Sequence, residues 1–126
     1  MRLFCFLVPL ALIPPKPIHA YSVLTHEALI DRDWERSLKP ILLRRFPDPT
    51  PDQLKEAHAY AYGGAIIQDM GYYPFGSKFF SNLTHYTRSG DFVVALLHDA
   101  QDLNEYAFAL GALAHYAADN EGHPSP

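Results

Sequence analysis

Cysteine is almost absent: the one present, Cys5, sits in an apolar stretch at the amino terminus. If that stretch is removed as a leader, the rest of the chain can form no disulfide and offers no thiolate to a metal. Basic residues are also few, 10 Lys and Arg against 14 Asp and Glu, for a net charge of −4. That balance argues against capture of nucleic acid or anionic lipid by the surface as a whole. A bound divalent cation would still reverse the sign locally. There is no internal repeat, no low-complexity tract and no Gly/Ser linker, which excludes repeat architectures and points to one domain. No stretch alternates apolar and polar residues long enough to argue for a sheet.

The amino terminus reads Met1-Arg2, then apolar from Leu3 to Ile13, then Pro14-Pro15-Lys16-Pro17-Ile18-His19-Ala20. The apolar part is too short to span a bilayer, and a breaker precedes a small residue. This predicts a secretory signal over residues 1–20, cut after Ala20, and a secreted or periplasmic protein with no stable membrane anchor. Ile18, three residues before the cut, is larger than usual there, so a retained anchor is the alternative. The cut removes Arg2 and Lys16 and no acid, leaving eight bases against fourteen acids, a net of −6. The remaining residues, 21–126, suffice for one small domain.

The pattern along that domain is helical. Apolar spacing through Ile30, Trp34 and Leu38 predicts a helix from about Thr25, with a break or kink at Pro40 and a continuation to Phe46. Pro47-Asp48-Pro49 is a linker. Thr50-Pro51-Asp52-Gln53 is a capping box with proline at the first helical position, opening a helix to about Met70. Gly63-Gly64 inside it would each cost roughly 1 kcal/mol against alanine, which predicts close approach of a neighbouring helix. An aromatic-rich loop, Gly71 to Ser81, precedes a short helix around Phe79–Thr87, another over Asp91–Gln101, and a last one from about Leu103 to Asp119. The chain is therefore all-α, a multi-helix bundle.

The last helix holds the most informative residues. From Tyr106 to Ala118 it is apolar nearly all round, which marks a buried helix. His115, Asp119 and His123 follow at intervals of four and so point one way. Buried polar groups need partners, and a divalent metal would satisfy an imidazole and a carboxylate one turn apart. A buried His–Asp hydrogen bond with an unrelated His123 explains the same triplet without a metal. Other segments supply further candidates: His26 near the mature start, Asp69 at the end of the long helix, His85 in the short one. A free α-amino group at Tyr21, with its own carbonyl oxygen, would form a five-membered chelate. Nitrogen and carboxylate donors without cysteine suit hydrolytic zinc better than structural zinc.

These residues carry a resemblance. The start Tyr21-Ser22-Val23-Leu24-Thr25-His26, then Asp69, His85-Tyr86-x-Arg88, and Ala109-Leu110-Gly111-Ala112-Leu113-Ala114-His115-Tyr116-Ala117-Ala118-Asp119-x-x-Gly122-His123 resemble the zinc-dependent phospholipase C family. Its all-helical fold is shared with secreted fungal single-strand nucleases. The resemblance implies phosphodiester hydrolysis by a trinuclear zinc cluster, with a phospholipid or a nucleic acid as substrate; no protein partner is implied. One zinc would be held by Asp69, His85, His115 and Asp119. A second would take the Tyr21 amine and carbonyl, His26 and the bridging Asp119, and His123 would be the first ligand of a third. Asp69 would also act catalytically, orienting or deprotonating the metal-activated water that attacks phosphorus.

Two departures accompany it. The family usually starts with tryptophan where this chain has Tyr21, a change that backbone chelation tolerates. The family also completes its third metal with a His and an acid four positions later, on a helix beyond the position of His123. The sequence stops at Pro126, so the expectation is a fold incomplete at its C-terminus, from a truncated frame or partial gene, or a short variant. One side of Tyr106–Ala118 would then be left uncovered.

Rival readings remain. His98-Asp99, with His85 upstream and Asp119 downstream, would suit an HD-type phosphohydrolase or nuclease, but leaves His26, His115 and His123 unused. A zinc-binding remnant that hydrolyses nothing would account for the lost third-metal ligands. His58, eleven residues before Asp69, is too far along its helix to share that metal and reads as structural. Arg88 reads as an ion-pair partner before a phosphate contact, and Tyr72, Tyr73, Phe75, Phe79 and Phe80 read as core before pocket lining. Asn82-Leu83-Thr84 is a glycosylation sequon, meaningful in a eukaryotic secretory pathway.

Overall fold

The computed structural model describes the backbone of residues 18–122, and within it the side chains of all but residues 18–22, 86 and 87. His123 and most of the proposed signal fall outside the described residues. Six α-helices form: α1 Ile18–Asp33, α2 Lys39–Arg45, α3 Pro51–Ile66, α4 Lys78–Asn82, α5 Ser89–Asp99 and α6 Leu103–Gly122. Wide π turns occupy Trp34–Leu38 and Leu83–Thr87, and a tighter 3-10 turn occupies Ile67–Tyr72. Among the described residues there is no strand, as the all-α expectation required.

Several boundaries differ from expectation for local reasons. α1 begins at Ile18 and runs through the Ala20–Tyr21 bond of the uncut chain. The break expected at Pro40 falls just ahead of it, as the π turn in which the Lys39 N–H reaches back to the Trp34 carbonyl. Proline clashes with the carbonyl four residues before it, and a widened turn relieves that clash without ending the helix. The capping box forms as expected: the Gln53 N–H donates to Thr50 Oγ1 at 3.1 Å, and the Thr50 N–H donates to Gln53 Oε1 at 2.9 Å. The α-helix it opens stops at Ile66, and the 3-10 turn carries the chain on through Asp69. Ser77 caps α4 by accepting the Phe80 N–H.

The centre of the bundle is α3 laid against α6. Ala57, Ala61 and Ala65 recur at intervals of four on α3 and meet Ala107 and Leu110 of α6, all buried. Two glycines bring the backbones together. A Cβ at Gly64 would overlap the Phe108 carbonyl, and one at Gly111 would overlap the Ala61 carbonyl. Gly63 differs, since a Cβ there would meet only the Phe108 ring edge at 3.5 Å, an ordinary contact. The close approach expected for the Gly63-Gly64 pair therefore belongs to Gly64, with Gly111 as its counterpart. Ile30, Trp34, Leu38 and Leu42, from α1 to α2, close the core.

The uncovered side expected for α6 is not seen. Residues Ala107 and Ala109 to Ala112 are buried, with α3, α5 and α1 packed around the helix, and Leu113, its one exposed large apolar residue among those described, is only about one-third exposed, at 36 %. Away from this centre, Asp31 of α1 accepts hydrogen bonds from Tyr62 and, at 3.0 Å, from His58, both on α3. The His58 ring lies between Trp34 and Tyr62, at centroid distances of 4.1 and 4.7 Å. His58 is thus the structural residue that its spacing suggested. Burial and the Asp31 bond push the Tyr62 hydroxyl up to about 12.

Candidate metal centre

Five side chains from four segments converge at one end of the α3–α6 pair. His26 comes from α1, Asp69 from the 3-10 turn after α3, His85 from the π turn after α4, and His115 and Asp119 from α6. The last two stand one turn apart on one face, as their spacing required, with His115 Nε2 at 2.9 Å from Asp119 Oδ2.

Two backbone carbonyls aim the imidazoles. His115 Nδ1 lies 2.7 Å from the Ala65 carbonyl oxygen, and His85 Nδ1 lies 2.7 Å from the Ser81 carbonyl oxygen. A carbonyl can only accept, so each Nδ1 is a protonated nitrogen and each Nε2 is the ring atom turned inward. Metal-binding histidines are fixed in this way by their outer partners. Ser81 is itself held, because its buried Oγ accepts the Gly71 N–H at 2.8 Å.

The inward atoms of His85, His115 and Asp119 form one group that could hold an ion, and Asp69 Oδ1 adjoins it. His85 Nε2 lies 2.9 Å from Asp69 Oδ1, 3.2 Å from His115 Nε2 and 3.5 Å from Asp119 Oδ2. His115 Nε2 lies 2.9 Å from Asp119 Oδ2 and 3.9 Å from Asp69 Oδ1. A zinc ion with bonds of about 2.0–2.2 Å sets its tetrahedral ligand atoms about 3.3–3.6 Å apart. Those five distances bracket that value. A plain His–Asp hydrogen bond accounts for the His115–Asp119 pair alone. It does not account for the two Nε2 atoms meeting at 3.2 Å with carboxylate oxygens beside both, an arrangement that a shared cation explains.

His26 is buried and stacks on His115, with centroids 4.1 Å apart. Its Nε2 is 3.6 Å from Asp69 Oδ2, and its buried Nδ1 has no hydrogen-bond partner. It thus groups with Asp69 and His115, whereas the expected second metal would pair it with Asp119. An orphaned buried nitrogen is costly, and a metal ligand would remove that cost.

The electrostatics match a cation site. Burial would raise the Asp69 and Asp119 pKa values. The hydrogen bonds from His85 and His115, with the neighbouring imidazoles, outweigh burial and hold both carboxyls below the ordinary range. The Asp69 bond holds His85 above its usual value against the opposing effect of burial. Burial, then the nearby His115, lowers His26.

Residues 25–125 match a family model described as zinc dependent phospholipase C. The chain belongs to that family. No curated protein and no solved structure matches it.

Membership makes zinc the expected ion for the donors that the fold assembles, and the fold does not bring the rival motif to them. His98 and Asp99 are exposed at the end of α5 and pair with each other at 3.0 Å, and neither is in a metal-competent group among the described residues. Arg88 is exposed and pairs with Asp91 at 3.2 Å, the structural role expected of it. Tyr21 lies within α1 of the uncut chain, where its nitrogen is a peptide N–H. Two contributors to this cluster had no signal in the sequence, the carbonyls of Ala65 and Ser81. Every residue has a carbonyl, so no residue type marks the ones that aim a histidine. Phe75 and Phe79 are strongly exposed, against the expectation that the aromatic cluster would be core.

Proposed function

We propose that the chain is a secreted, zinc-dependent phosphodiester hydrolase of the phospholipase C type, acting on phospholipid headgroup esters. The observation that carries this is the convergence of His85 Nε2, His115 Nε2, Asp69 Oδ1 and Asp119 Oδ2, with both imidazoles aimed from behind by carbonyls. Family membership supplies the substrate class.

In this reading the four residues hold the first zinc. Bound zinc would supply Lewis-acid stabilisation of charge on the phosphoryl oxygens and activation of water at neutral pH. Asp69 orients that water, and its second oxygen ties the site to His26. Cut after Ala20, the chain would offer the freed Tyr21 amine and carbonyl, with His26 and Asp119, to a second ion, and His123 to a third. The burial of His115 and the half-burial of Asp119 keep bulk water from the inner face, where fixed charges act most strongly. No side-chain nucleophile would be needed, since water activated at the site could supply both the attacking oxygen and the proton the departing alcohol takes.

The test is zinc per chain by elemental analysis, on protein cut after Ala20 and on the uncut chain, followed by release of phosphocholine from phosphatidylcholine. The expected result is about two ions in the cut form, about one in the uncut form, and hydrolysis that follows zinc content. A zinc-loaded chain that releases no headgroup would be the non-hydrolytic remnant. A chain that takes up no zinc would end the metal reading.

A further inference from the structure

The segment joining Asp69 to His85 does something the metal centre does not require. Phe75 is fully exposed at 108 % of its reference area, Phe79 at 77 % and Met70 at 44 %. Soluble proteins seldom hold large aromatics so far out without a use for them. Phe75 is also held in the left-handed region, at φ 71, where a bulky side chain is a true outlier and the strain marks a functional constraint.

The loop does not project because it is slack. The Gly71 N–H is bound to Ser81 Oγ, the Tyr73 N–H to the Met70 carbonyl, and the Gly76 N–H to the Tyr73 carbonyl. A Cβ at Gly76 would overlap the Met70 carbonyl, so the chain folds tightly back on itself there. Phe75, Met70, Tyr73 and Phe80 border one open concavity. Tyr72 continues the loop inward, its ring 5.7 Å from that of His85.

Charge identifies what the surface meets. The chain carries net −4, yet from Met70 to Arg88 it contains no Asp or Glu, and Lys78 stands between the two exposed phenylalanines. An acidic protein has here an acid-free, aromatic-rich edge whose two full positive charges are Lys78 and Arg88. That combination suits the interface of a phospholipid bilayer, where rings settle at the headgroup–acyl boundary and a lysine reaches the phosphates.

We propose that the 70–80 loop is a lipid-surface anchor, in which Phe75 and Phe79 insert at the headgroup level of a bilayer and bring the Asp69–His85 edge of the metal centre onto it. The proposal rests on the phospholipase reading for its purpose, though its own test is independent of hydrolysis.

The test uses the zinc-loaded full chain with Phe75→Trp and, separately, Phe79→Trp, on phosphatidylcholine vesicles with and without doxyl-labelled lipid. The parent chain has one tryptophan, buried Trp34, whose emission serves as the blank. The expected result is a blue shift of the introduced indole on adding vesicles and loss of most of its emission to the shallow quencher. An indole that stays water-like at saturating lipid overturns the proposal, even if another part of the chain binds the vesicle. A shift already present without lipid that grows with protein concentration also overturns it and assigns the surface to a second copy. Phe75→Gly keeps the proposal falsifiable should tryptophan perturb the loop. Glycine relaxes the positive φ, so the unfolding midpoint should rise while vesicle partition falls about tenfold or more. Unchanged partition overturns the anchor. Headgroup release is measured in parallel: insertion without hydrolysis leaves the anchor standing and ends the phospholipase reading, and hydrolysis with a water-exposed indole does the reverse.

Discussion

His85 and His115 commit Nδ1 to backbone carbonyls and turn Nε2 toward two carboxylates, so tautomer and direction are set before any ion arrives. Asp119 should then be the least replaceable residue of the set. Asp119→Asn keeps the shape and removes the charge. It should weaken zinc beyond the roughly 10- to 100-fold typical of outer partners. Elemental analysis after dialysis checks this, and a variant with the parent's zinc content would remove Asp119 from the site. The pH dependence has a definite sign. In the metal-free protein, raised His85 contributes stability that is complete below 6.5 and fades as pH climbs through its raised value. The lowered Asp69 and Asp119 contribute stability present above 3.8 that fades as pH falls through their lowered values. Lowered His26 opposes His85, since below 6.5 it must shed a proton to fold. Zinc competes with the His85 proton, so affinity should tighten from about pH 6 to about pH 8 in a chelator-competition titration. A flat profile would argue that His85 is not a ligand. At this scale the sequence was legible where chemistry has a residue type: the spacing of His115 and Asp119 foretold their shared face. The partners that aim the rings were not legible, being main-chain atoms.

Helices α3 and α6 make the frame that carries those residues, and their contact is backbone on backbone. Gly64→Ala must push the Phe108 carbonyl away and should destabilise by roughly 1–3 kcal/mol, as overpacking does. Gly63→Ala meets only a ring edge at an ordinary distance and should stabilise by roughly 0.5–1 kcal/mol through helix propensity. Urea unfolding of the two neighbours gives opposite signs if this packing is right. The sequence announced that a helix would approach, because two glycines inside a helix need a reason. It did not say which glycine mattered, since that depends on the crossing point. Pro40 and the Thr50 box were legible for the same local reason. The π turns at Trp34–Leu38 and Leu83–Thr87 were not, because a π turn differs from an α turn by one residue of register that tertiary packing selects.

For the molecule as a whole, zinc and fold are coupled through His115, which belongs to the buried interior and to the metal set alike. Stripping zinc with a chelator should lower stability by on the order of 4 kcal/mol relative to free zinc at a thousandfold its Kd, roughly 15 °C or more in Tm. Calorimetry with and without chelator reads this directly, and coincident transitions would show that the ion is not held by the folded state. The meeting of Gly64 and Gly111 with opposing carbonyls has a consequence for anyone who would redesign the site. At these two crossing points no side chain separates the helices, so the gap there has nothing compressible to adjust and behaves as a hard ruler. Ala65 and His115 sit just beyond the marks of that ruler, so main-chain contact sets how the carbonyl of one helix meets the imidazole of the other. Any redesign that moves His115 would have to reckon with positions 64 and 111, well behind the ligands.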